Sequence, residues 1–144
     1  MTLTANRETT DRSTTTTVID CDIHNSLPSE SALTAYLPAR WREYHERFGQ
    51  RGYSGTHYPL ANLNAARTDS WPPSGQVPGS DLAFMREQLL DRWGVERGIL
   101  LPLLGVGRQV NLEYGAARAH GINEWQIAEW LDPEPRLRAS IVVP

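Results

Sequence analysis

The sequence predicts an α/β fold built on a parallel sheet, and three observations carry that reading. Short apolar runs near residues 18–23, 95–104 and 137–143 read as strands. Segments with helical spacing or helix stop signals lie between them. The middle run, centred on Ile99-Leu100-Leu101, is apolar without alternation, as in a strand buried on both faces. Strands separated by helices in this order imply parallel pairing through right-handed crossovers.

The elements follow in chain order. Residues 1–17 are rich in Thr, Ser and charge and lack the apolar core of a secretory signal, so they predict a disordered leader. Val18-Ile19-Asp20-Cys21-Asp22-Ile23-His24 is the first strand, followed by a turn over residues 25–28. A helix is expected over 38–48, with Pro38 in its first turn, Trp41, Tyr44 and Phe48 at helical spacing, and Gly49 as its stop. Residues 50–79 are rich in Gly, Pro, Asn and Ser and predict a long loop, of the kind that serves as a lid or binding loop or stays disordered. Ser80 and Asp81 offer an N-cap to a helix whose stripe is Leu82, Met85, Leu89 and Trp93, closed by Gly94. After the second strand, Gly105-Val106-Gly107 turns the chain into a helix over 111–120 that Gly121 closes. Asn123, with Gln126 three residues on, suits the capping box of a further short helix broken by Pro133 and Pro135. The third strand spans 137–143.

Composition limits the function classes. The 144 residues suit one domain, and 40% hydrophobic with 22% charged residues is the balance of a soluble globular chain. A net charge of -3 and a pI near 5.8 argue against a nucleic-acid partner. No apolar run has the length of a membrane span. The one cysteine allows no internal disulfide, which fits a reducing cytoplasm. All fourteen basic residues are Arg, so Schiff-base chemistry and a carbamylated lysine cannot come from this chain.

The chemistry concentrates at the end of the first strand. Side chains two apart on a strand share a face, so Asp22 and His24 are expected side by side, a carboxylate and an imidazole suited to a divalent metal. In parallel α/β folds that end of a strand is where sites are built. Asp20 lies on the same face and would orient a ligand or make a structural hydrogen bond. Cys21 falls on the opposite face, out of reach of His24 as a nucleophile's base. Among the other histidines, His45 is expected on a solvent-facing helix surface and His120 near a helix C-terminus. His57, in the long loop beside Tyr53 and Tyr58, is the one further candidate for substrate binding. Trp125 and Trp130, five apart, read as packing residues, and Gly105-Val106-Gly107 lacks the third glycine of a dinucleotide loop.

Three segments together resemble one family. They are Ile19-Asp20-Cys21-Asp22-Ile23-His24; Met85-Arg86-Glu87-Gln88-Leu89-Leu90-Asp91-Arg92-Trp93-Gly94-Val95; and Asn123-Glu124-Trp125 followed by Pro135-Arg136-Leu137 and Val142-Val143-Pro144. In this order they are similar to the amidohydrolase-related metal-dependent enzymes, the group that includes the aminocarboxymuconate semialdehyde decarboxylase type. The resemblance implies the N-terminal portion, about three strands, of a (β/α)8 TIM barrel. It implies one divalent ion, zinc or manganese, with Asp22 and His24 as the first two ligands and a further His and an Asp from later strands. Asp22 stands where the family more commonly has His, which makes the site more oxygen-rich and could favour manganese. The implied activity is hydrolysis of a small-molecule substrate by a metal-activated water, or non-oxidative decarboxylation within the same family, in a chain that could form a homo-oligomer. The reading of another class is a non-catalytic barrel fragment.

Overall fold

The computed structural model describes residues 16–49, 66–102, 104, 106, 107 and 109–144. Its elements are β1 (Val18–Ile23), α1 (Glu30–Thr34), α2 (Ala39–Phe48), α3 (Leu82–Met85), β2 (Val95–Leu100), α4 (Leu112–Gln126) and β3 (Leu137–Ala139). The three strands form one parallel sheet in the order β1-β2-β3. The mixed α/β character and the parallel pairing agree with expectation. Ile23, Leu100 and Leu137, one from each strand, are buried in a core shared with Leu90, Ile122, Trp125 and Trp130.

The centre of the sheet depends on a missing side chain. A Cβ on Gly98 of β2 would stand 2.6 Å from Ile23 Cδ1 and 3.0 Å from Leu137 Cδ2, so this glycine leaves room for both neighbours. Gly98→Ala is expected to destabilise the chain by about 1–3 kcal/mol through overpacking. Urea unfolding checks this; a midpoint equal to that of the parent would overturn it.

Several boundaries differ from those the sequence predicts. The strand expected over 95–104 ends at Leu100, although Leu101 N–H still donates to the Ile23 carbonyl at 2.7 Å. The third strand is only Leu137–Ala139; beyond it, the Asn123 side chain bonds both the N–H and the carbonyl of Val142 at 2.9 Å. Asn123 therefore caps no helix. The two helices expected around Gly121 are one, α4, because Gly121 lies in its interior and faces Leu37 and the Tyr36 carbonyl at close range. The short helix α1 carries too few residues to show a period, and nothing in the sequence reading anticipated it.

Two further differences have a common cause. Trp93, expected in the stripe of the 80s helix, is 62% exposed, and Leu90 is buried instead. The helix widens into π-helical turns over Arg86–Asp91, bonded i→i+5, so each turn holds more residues than an α-helix and Met85 and Leu90 share the inner face. A second π-helical stretch at Ile127–Leu131 follows α4, next to the buried pair Trp125 and Trp130, whose rings meet edge-to-face at 6.1 Å. Both are packing residues of the core, in agreement with the expectation for this pair.

Of the predicted helix ends, Asp81 and Gly49 perform as expected, and Asn111 adds a cap that the sequence did not single out. Asp81 accepts from Phe84 N–H at 3.0 Å and Asn111 from Tyr114 N–H at 3.1 Å, while Gly49 closes α2 at φ 62°. Among the described residues no helix is long and apolar enough to cross a membrane.

Candidate metal centre

β1 reaches the site through an irregularity. Asp20 pairs with Gly98 and Ile23 with Leu100, so β1 carries one residue more than β2 between these two points. A bulge of this kind re-aims side chains at a strand end. The Asp20 carboxylate accepts the Asp22 N–H at 3.0 Å and so ties the bulged backbone to itself. Of the two roles open to Asp20, the hydrogen bond observed is to backbone.

Asp22 and His24 come together as expected, with Asp22 Oδ1 3.5 Å from His24 Nε2. The other ring nitrogen, Nδ1, is 2.8 Å from the Leu101 carbonyl, at the end of β2. A carbonyl can only accept, so Nδ1 carries the proton and donates it. In the neutral imidazole this leaves the Nε2 lone pair facing the Asp22 carboxylate, two electron-rich atoms that a shared cation, a proton or a bridging water would satisfy. A histidine held through its second nitrogen by a backbone carbonyl is the usual arrangement of a metal-bound imidazole. Two ligands each about 2.0–2.2 Å from a tetrahedral zinc lie roughly 3.4 Å apart, so the observed spacing fits one shared ion. Both side chains are accessible, His24 at 44% and Asp22 at 75%. Among the described residues, no group of three or more His, Cys, Asp or Glu is placed to hold a metal. The pair alone therefore amounts to at most two ligands, with no third beside it among the described residues.

The pair opens into a cleft of about 960 Å³. Phe84, Met85, Leu89 and Val77 supply apolar wall; Asp20, Asp22, Glu30, Asp81, Ser26 and Gln88 supply polar groups. An apolar concavity with a few convergent polar groups is the usual form of a small-molecule site. Gly79 forms part of the rim at φ 77°, its carbonyl accepting from Ser26 N–H at 2.8 Å.

The remaining sequence candidates separate clearly. His57, with Tyr53 and Tyr58, lies outside the described residues. His45 is not solvent-facing: α2 lies against α4, and His45 Nδ1 shares a 2.5 Å hydrogen bond with the buried Tyr114 hydroxyl. His120 lies within α4 rather than near its end, 3.9 Å from Glu124 one turn on. Cys21 is free and exposed. The sequence reading missed Leu101, whose contribution is a backbone carbonyl, and Gly79, for which the Pro78-Gly79 turn signal was the available clue. It also missed the ion pair of Glu30 with Arg118, brought together by packing of α1 on α4.

No protein-family model matches the sequence, and no curated protein matches it.

Proposed function

We propose that the chain contributes the first two ligands, Asp22 and His24, of a single divalent-metal site in an enzyme of the amidohydrolase-related type. The observation that supports this reading most is the bare Nε2 of His24 facing the Asp22 carboxylate at 3.5 Å while Leu101 holds Nδ1. In this reading the parallel sheet is the beginning of a (β/α)8 barrel, and the other ligands come from outside the described residues. Zinc or manganese, when bound, supplies Lewis acidity that polarises a carbonyl and acidifies a water. The protein's own part is to fix the imidazole tautomer through Leu101, to hold the Asp22 backbone through Asp20, and to offer the adjoining cleft to a small-molecule substrate. Hydrolysis is the leading assignment; loss of carbon dioxide from a carboxylated substrate would use the same two ligands.

Metal content tests the reading. For a version that carries the remaining ligands, loaded with zinc or manganese and freed of unbound ion, elemental analysis is expected to find about one ion per chain, as in other single-metal sites. His24→Ala is expected to lose it while retaining the parent's circular dichroism. A parent without bound metal, or a His24→Ala variant with undiminished content, overturns the assignment and favours the non-catalytic reading.

A further inference from the structure

We infer that Glu30 is the specificity-determining carboxylate of the cleft, accepting a hydrogen bond from an ammonium group on the ligand. The inference rests on reading the cleft as the substrate site and adds the ligand's polarity to it. Glu30 opens α1 and lines the cleft that Asp22 and His24 also line. Its Oε2 accepts from Arg118 Nη1 at 2.9 Å, and Arg118 is fully buried in α4, with 0% of its side chain exposed. The Glu30 side chain itself remains 47% exposed, and among the described residues its Oε1 has no partner.

This is a costly way to hold a surface carboxylate. A buried guanidinium forfeits hydration that one ion pair does not fully restore, and Arg118 Nε and Nη2 have no hydrogen-bond partner among the described residues. An apolar side chain at 118 would pack the helix interface at lower cost. What the arginine adds is a fixed position for Glu30, with one carboxylate oxygen left for a donor in the cleft. The surroundings select the donor's charge. Apart from the proposed ligand Asp22, Asp20 and Asp81 line the same cleft, and no Arg or Lys does so among the described residues. A ligand carboxylate near Glu30 is repelled, whereas an ammonium is attracted. Phe84, Met85 and Leu89 give the ligand's apolar body a wall to lie against.

Benzylamine and benzoate, matched in shape and opposite in charge, are the probes. Binding is measured by NMR titration of the full chain in EDTA, so the result does not depend on any metal and failure of the metal assignment is read separately. Benzylamine is expected to bind and to shift the resonances of Glu30, Phe84 and Met85, and benzoate to bind at least tenfold more weakly. Glu30→Gln is expected to lower benzylamine affinity about tenfold. Should that variant fold poorly, the shift map on the parent chain decides by itself. Equal affinity for the two probes, no benzylamine binding, or shifts that leave Glu30 unaffected overturns the inference.

Discussion

Replacing Gly79 with Ala is expected to destabilise the chain by about 2–4 kcal/mol and, with it, to weaken zinc binding at the proposed ligands Asp22 and His24. Gly79 has φ 77°, where an L-residue with a side chain is strained. A Cβ there would also lie 2.5 Å from the His24 carbonyl oxygen, a backbone atom that cannot rotate away. The Gly79 carbonyl meanwhile accepts from Ser26 N–H at 2.8 Å, so the two backbones are bound on either side of His24's peptide. Relief of the clash has to move either the cleft rim or the imidazole's own backbone. Gly75 separates the two contributions, since its φ of 76° is nearly the same and an added Cβ meets nothing within 4 Å. Gly75→Ala is expected to cost only about 1 kcal/mol, the strain of the left-handed conformation alone. Urea unfolding of both variants, with zinc titration of each, checks the pair. Equal losses would show that contact with His24 contributes nothing.

That contact marks the limit of what the residues disclose in linear order. The Asp22–His24 pair was legible because strand alternation is a local rule. Across the register shift between Asp20 and Ile23, Asp20, Asp22 and the following His24 still line the same cleft. Asp81 was legible as a cap because capping spans three residues. The π-helical stretches were not, since a stripe drawn at 3.6 residues per turn places Trp93 inward and overlooks Leu90. Gly121 read as a stop because glycine ends many helices; here close packing on Leu37 and Tyr36 decides its role, and that is a tertiary fact. Arg118 gave no signal, because a buried arginine and a solvent-facing one look alike until α1 supplies Glu30.

Glu134→Gln is expected to remove about 3 kcal/mol of stability at neutral pH, and the loss is expected to shrink as the solution is acidified. Glu134 is 4% exposed and stands just before β3, where its carboxylate accepts from Arg136 Nε at 2.9 Å and Arg86 Nε at 2.8 Å. Arg86 also bonds the Pro133 carbonyl, and Arg136 reaches Asp91 at 2.8 Å. The network thus joins the π-helical stretch after α3 to the approach to β3. Hydrogen bonding from Arg136 first, with Arg86 adding to it, outweighs burial and lowers the Glu134 carboxyl from 4.5 to about 2. A depressed carboxyl stabilises the fold fully above its unfolded value, and that contribution disappears as pH falls from 4.5 toward 2. The interval corresponds to about 3 kcal/mol, of which about 60% is lost by pH 3. Urea unfolding of parent and variant at pH 7, 4 and 3 is expected to give converging stabilities. A constant difference across that range would show that Glu134 acts by shape alone. The network lies before β2 and β3, whereas Asp22 and His24 lie at the far end of β1. The folded variant is therefore expected to keep the parent's metal content, which separates loss of stability from loss of the site.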